Sequence, residues 1–186
     1  TITRFSGTVD YYFLEESRAE LVPQIVRNRI NTKIGKPSRE VNPTAPLSRY
    51  LLMVSTIEPR KNHETLVSAW ERLRASTEPD LKLVLVGAMG WNYREIVRKF
   101  LPWIERGELK LLEDVPSNEL RQLYRHAAAT ICPSVGEGFD FSGVEAMRCG
   151  TAVVASDIKT HREIFGDAAE FFSPYDSPDA AHAIER

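Results

Sequence analysis

Cysteine is scarce in this chain: Cys132 and Cys149 are the only two among 186 residues. They form no C-x-x-C pair and join no Cys/His cluster, so no zinc-ligand pattern is present. Two reduced, buried thiols in a cytosolic protein are the expectation. An excess of one charge is also missing, because 24 Lys and Arg face 26 Asp and Glu, for a formal net charge of -2. A nucleic-acid module would show a basic excess, so nucleic acid is not an expected partner. No apolar run approaches the roughly 18 residues needed to cross a bilayer, and no signal-peptide pattern opens the sequence. Internal repeats and low-complexity tracts are lacking too. The chain starts at Thr1 and stops at Arg186 inside a helix-like run, as expected of a piece of a longer protein.

What is present is regular. Apolar content of 42% and charged content of 27% fit a globular protein. Apolar runs recur at 50–56, 81–87, 109–115, 129–134, 151–156 and 169–174. Most are too continuously apolar for a half-exposed antiparallel strand and suit parallel strands covered on both faces. Between them Leu66, Ala69, Trp70 and Leu73 keep helical spacing, and Leu120, Leu123, Tyr124 and Ala127 repeat it. Asn62 is placed to cap the first of these helices, with Glu64 in its first turn. Alternating strands and helices predict an α/β fold with an open, doubly wound parallel sheet. In such sheets ligands bind beyond the carboxyl ends of the strands.

The segment 36–48 carries three prolines and reads as a linker or extended loop. Before it, Leu14, Leu21, Val22, Ile25 and Val26 can form an apolar stripe interrupted by Pro23, with Arg18, Arg27, Arg29 and Lys33 outside. Such a basic amphipathic helix either packs on the sheet or between domains, or touches membrane lipids.

Two loops carry candidate chemistry. After the first strand, Arg60 and Lys61 precede a helix start, a combination that suits a dianion such as a diphosphate. After the fourth, "PSVGEGFDFSGVEAMRCG" (133–150) places Glu137 and Glu145 around a glycine turn. Gly136 and Gly138 let backbone approach a ligand closely. Amides from Phe139 to Val144 at the following helix start would favour a phosphate. Two carboxylates there would repel a phosphate and suit accepting hydrogen bonds from hydroxyls, which sugars present. "SGVE" also fits a capping box, with Ser142 as N-cap and Glu145 at the third helical position. Elsewhere, Gly87 and Gly90 permit a tight turn, and Trp91 is either a stacking platform or a core or lid aromatic. His161 has no Ser or Cys nucleophile beside it, which argues against a triad and leaves a hydrogen-bonding or packing role.

Together, "VSTIEPRKNHETLVSAWERLR", "LVLVGAMGW", "NELRQLYRHAA", "PSVGEGF…VEAMRCGTAVVASD" and "HREIFGDAAEFFSPYD" resemble, in order, the retaining glycosyltransferase family 4, whose members have the GT-B fold. The resemblance runs from about Tyr50 to Arg186 and is nearest to bacterial mannosyl- or rhamnosyltransferases of O-antigen and other surface polysaccharides. It implies that residues 48–186 are the C-terminal, donor-binding, Rossmann-like half, truncated within a C-terminal helix. Residues 1–47 would be the arm and join between domains. Glu137 and Glu145 fall on the family's E-x7-E glutamates. The first contacts the transferred sugar and is tied to catalysis; the second binds the ribose. Lys61 falls on the lysine that neutralises the donor diphosphate. Gly138, Phe139, Asp140, Phe141 and Ser142 fall in the donor loop, Gly87 counts among the donor-binding positions, and Val115 falls where backbone commonly meets the base. Thr56 stands where many members have an arginine, a charge that Arg60 would supply. Asp140 replaces the usual glycine and Ser142 the usual proline. A carboxylate at 140 would cost diphosphate affinity unless it is paired or turned away.

The resemblance implies hexose transfer with retention from a nucleoside-diphosphate sugar, GDP-mannose favoured, to a growing polysaccharide or lipid-linked glycan. It implies no metal and no other cofactor, a cytoplasmic site with peripheral membrane association, and a partner N-terminal GT-B domain that brings the acceptor. This chain alone is expected to bind nucleotide weakly and transfer little. A nucleotide-sugar epimerase of the same fold would need further acid/base groups, which the sequence does not identify. A non-catalytic nucleotide-sugar-binding domain is opposed by the joint presence of Lys61, Glu137 and Glu145.

Overall fold

The computed structural model describes residues 19–29 and 49–186. The expectations for residues 1–18, the 36–48 linker, Leu14, Arg18 and Lys33 lie outside the described residues. Six parallel strands form one sheet: β1 (Tyr50–Val54), β2 (Lys82–Val86), β3 (Leu109–Leu112), β4 (Ala129–Cys132), β5 (Val153–Ser156) and β6 (Glu170–Phe172). All six expected strands are present, each shorter than its apolar run. Helix α1 (Val22–Arg29) precedes the sheet, α2 (His63–Ser76), α3 (Tyr93–Glu105), α4 (Ser117–His126), α5 (Phe141–Arg148) and α6 (Lys159–Phe165) connect successive strands, and α7 (Ser177–Glu185) follows β6.

The strand sequences explain the layers. In β1, Leu51 and Met53 face one side while Tyr50 and Leu52 face the other, and all four are buried. The first side is covered by α2, α3 and α7 through Trp70, Phe100 and Ala180 among others. The second is covered by α1, α4, α5 and α6 through Val26, Tyr124, Ala146 and Phe165. Each large apolar side chain so buried contributes roughly 1.5–3 kcal/mol. Ridges at Leu66, Ala69, Trp70 and Leu73 in α2 are all buried, as their spacing predicts.

At the N-terminus one expectation changes, and one of two stated alternatives is met. Pro23 does not interrupt the stripe; it lies in the first turn of α1, where a missing N–H costs nothing. Val22, Ile25 and Val26 face the protein's own core, so that stripe packs on the sheet. No helix among the described residues is long and apolar enough to cross a membrane. Both cysteines are free; Cys132 is buried, whereas Cys149 is only half-buried.

The strand order is β3-β2-β1-β4-β5-β6. Direction of winding therefore reverses between β1 and β4. The loops after these two strands diverge there and open the crevice where such folds hold ligands.

Candidate active site

The loop after β1 is fastened before it reaches the crevice. Ile57 donates its amide to the Ala88 carbonyl at 2.9 Å and accepts from the Gly90 amide at 3.0 Å. A single tight turn, Pro59–Lys61, then presents Arg60 and Lys61. Asn62 occupies the N-cap position of α2 in the left-handed conformation, but its side chain makes no capping bond. Its amide instead donates to the Pro133 and Pro174 carbonyls at 2.9 and 2.6 Å, tying the β1 loop to the loops after β4 and β6. Asn92 and Asp114, in the loops after β2 and β3, are also left-handed. Asn and Asp tolerate this conformation better than other side chains, and such residues cluster at ligand sites.

Glu137 joins the two loops. Its Oε1 accepts from Lys61 Nζ at 2.5 Å and from Ser134 Oγ at 2.7 Å, and its Oε2 accepts from Arg60 Nη1 at 2.6 Å. The same arginine nitrogen donates to the Gly136 carbonyl, and Nη2 donates to Glu58. The Glu137 side chain is only 5% exposed. Burial pushes its carboxyl up, but hydrogen bonds from Lys61, Ser134 and Arg60 outweigh that and hold it below the ordinary carboxylate range. Thus the two expected anion-binding cations are both charge-paired with the expected sugar-binding carboxylate. Gly136 and Gly138 have no protein atom within 4 Å of where a side chain would start, so the rim beside Glu137 is open.

The start of α5 differs from the capping-box reading. Asp140, not Ser142, is the N-cap; its Oδ1 accepts from the Gly143 amide at 3.3 Å and from Ser142 Oγ at 2.6 Å. Helical geometry begins at Phe141, so Glu145 lies two residues beyond the third helical position that a capping box requires. Glu145 instead accepts from Tyr124 Oη of α4 at 3.1 Å. Asp140 Oδ2 meets His161 Nε2 at 3.2 Å, and both groups are buried. Burial raises the Asp140 carboxyl, while His161, Ser142 and the Gly143 amide more than offset it, leaving it at about 2. The carboxylate at 140 is therefore paired and turned inward.

Other expected residues distribute along the same edge. Thr56 is exposed. Gly87 is obligatory because a Cβ there would sit 1.9 Å from the Ser55 carbonyl oxygen. Val115 packs partly against the core beside α4. Phe139 and Phe141 lie with ring centroids 4.7 Å apart, and Phe141 is 57% exposed. Gly138 is exposed. Trp91 is 58% exposed and so is not a core aromatic. The structure adds Ser134, Glu58 and Thr160, which the sequence reading did not single out; Thr160 Oγ1 donates to the Glu137 carbonyl at 2.8 Å. Among the described residues no three His, Cys, Asp or Glu side chains gather as metal ligands.

A doubly wound sheet with paired cations, a carboxylate and a capped helix start at its switch point defines a Rossmann-like domain with an anion-competent crevice. Residues 36–186 match the family described as "Glycosyl transferases group 1", and the chain belongs to that family. It is 35% identical over 127 residues to the O-antigen chain mannosyltransferase B of Escherichia coli, covering 68% of this chain and 33% of that protein. It is 34% identical over 136 residues to the serotype-specific mannosyltransferase WbdA of Escherichia coli, covering 72% of this chain and 16% of that protein. The chain thus spans a third or less of the length of these relatives. The fold matches a crystal structure of a glycosyltransferase from Rickettsia africae with a TM-score of 0.71 at 17% identity, over 95% of this chain and 44% of that one. That likeness shows one Rossmann-like half of a GT-B architecture.

Proposed function

We propose that this chain is the donor-binding half of a retaining glycosyltransferase that moves a hexose, mannose favoured, from a nucleoside-diphosphate sugar to a polysaccharide or lipid-linked glycan. The observation that carries this reading is the convergence of Arg60, Lys61 and Glu137 at the switch point, within a family whose similar relatives include mannosyltransferases. Lys61 and Arg60, with the amides at the start of α5, stabilise negative charge growing on the leaving diphosphate. Because these fixed charges do that work, the proposed reaction uses no metal. Glu137 contacts the transferred sugar. Glu145 holds the ribose, and backbone at Val115 meets the base. The donor phosphate takes the acceptor proton as the acceptor attacks from the face the diphosphate leaves.

The acceptor site belongs, in this reading, to the remainder of a GT-B protein. Residues 48–186 form the donor domain and 1–47 the join to its partner domain. The protein works in the cytoplasm, at the inner face of the membrane that carries lipid-linked acceptors. The test is transfer by the full-length protein from GDP-mannose, with the anomeric configuration of the product read by NMR. Retention of configuration supports the proposal; inversion, or no transfer from any nucleoside-diphosphate hexose, contradicts it.

A further inference from the structure

His161 is fully buried in the first turns of α6, and neither of its ring nitrogens faces solvent. Nδ1 lies 2.9 Å from the Ser156 carbonyl, and Nε2 lies 3.2 Å from Asp140 Oδ2. Both partners accept, a pattern that an imidazole satisfies by donating from both nitrogens. Ser156 Oγ is 3.1 Å from Nδ1 and donates to the Ser134 carbonyl at 2.5 Å. Ser134 in turn donates to Glu137. These contacts link Asp140 and His161 through Ser156 to the backbone of Ser134, whose side chain holds Glu137, and both Glu137 and Asp140 lie in the loop between β4 and α5. The neighbouring Thr160 grips the Glu137 carbonyl from the same helix. The His161 ring stacks on Phe165 at 5.3 Å, which fixes its plane.

We propose that His161 is a positioning residue for donor binding: it cancels the charge of Asp140 and turns that carboxylate inward as the α5 cap, leaving the α5 amides to the donor diphosphate. This rests on the donor-site reading above. Without the His161 partner, Asp140 places an uncompensated buried anion at the helix start where the diphosphate is to sit, and like charges at close range oppose binding. A role in packing alone would give no such dependence on the charge at 140.

The test is a double-substitution cycle in the full-length protein, read by calorimetric affinity for whichever of GDP, UDP or dTDP the native protein binds most tightly. His161→Gln weakens that affinity by about tenfold, the effect of roughly one pKa unit of unbalanced charge. Adding Asp140→Asn to His161→Gln restores most of it, although the melting temperature stays below native. Should His161→Gln alone fail to fold, Asp140→Asn serves as the reference, and His161→Gln in that background changes affinity by less than about threefold. Losses that add across the two substitutions, or a tenfold loss in the Asp140→Asn background, overturn the proposal while leaving the donor site intact. A native protein that binds none of the three nucleotides overturns both.

Discussion

Glu137 and Lys61 are 2.5 Å apart across the crevice, in the loops after β4 and β1. The cation expected to meet a diphosphate is held by the carboxylate expected to meet the sugar. A donor therefore enters a site whose charges already balance, and its phosphates compete with Glu137 for Lys61 and Arg60. Glu137→Gln removes that competition along with the sugar contact. In the full-length protein it lowers transfer by roughly a hundredfold, a loss in the range of one preorganised electrostatic contact. Affinity for the nucleoside diphosphate stays equal to native or rises. Calorimetry beside initial rates separates the two effects; a joint loss of rate and nucleotide affinity contradicts this arrangement.

Gly143 sets how closely α5 approaches α6. A Cβ there would lie 2.3 Å from Phe165 Cζ and 3.2 Å from Cys132 Sγ, and Phe165 is buried. Gly143→Ala destabilises by about 1–3 kcal/mol through overpacking. Chemical denaturation measures it, and Gly143→Ala with Phe165→Leu recovers part of the loss. An unchanged midpoint for Gly143→Ala would show that the ring has room to move.

Much of this was legible in the sequence, for identifiable reasons. Parallel strands buried on both faces read as continuous apolar runs, so "YLLMV" and "KLVLV" announce themselves. The strand order, and with it the reversal at β1 and β4 that locates the crevice, comes from the structure. What stayed illegible depends on contacts distant in sequence. The spacing S-x-x-E occurs twice in the β4–α5 segment, at Ser134–Glu137 and Ser142–Glu145. The capping reading fell on the second, but the direct Ser–Glu hydrogen bond is made by the first. Asp140 wins the cap at α5 with Ser142 feeding its carboxylate and His161, 21 residues away, holding its other oxygen. Asn62 sits in the cap position its sequence implies, yet Pro133 and Pro174 claim its amide.

His63 makes the protein acid-sensitive. It is buried at the start of α2, where burial, and then the charge of Lys61, push its pKa from 6.5 down to about 3. The unfolded chain takes up a proton below about pH 6.5 and the folded protein does not. The stability this neutral histidine contributes is complete above that pH. It declines as pH falls toward 3, by up to about 1.4 kcal/mol per pH unit. His63→Gln flattens the decline, seen in denaturant midpoints at pH 7 and pH 5. Parallel declines in both proteins would assign the sensitivity elsewhere.

Glu145 separates a ribose contact from a structural one. Its side chain accepts from Tyr124 Oη, while the N-cap of α5 is Asp140. Glu145→Gln weakens binding of a nucleoside diphosphate by about tenfold, the scale of one hydrogen bond to a charged group. It weakens the corresponding 2′-deoxynucleotide less. A fall in melting temperature with unchanged affinity for both would make Glu145 a helix-packing residue only.

The most direct measurement is calorimetric titration of the full-length protein with GDP, UDP and dTDP, repeated with Lys61→Ala. The donor-site account predicts saturable binding of at least one of them to the native protein. It also predicts an affinity at least about tenfold weaker once the Lys61 charge is gone. No binding of any of the three at millimolar concentration, or equal affinity in native and Lys61→Ala protein, would contradict it.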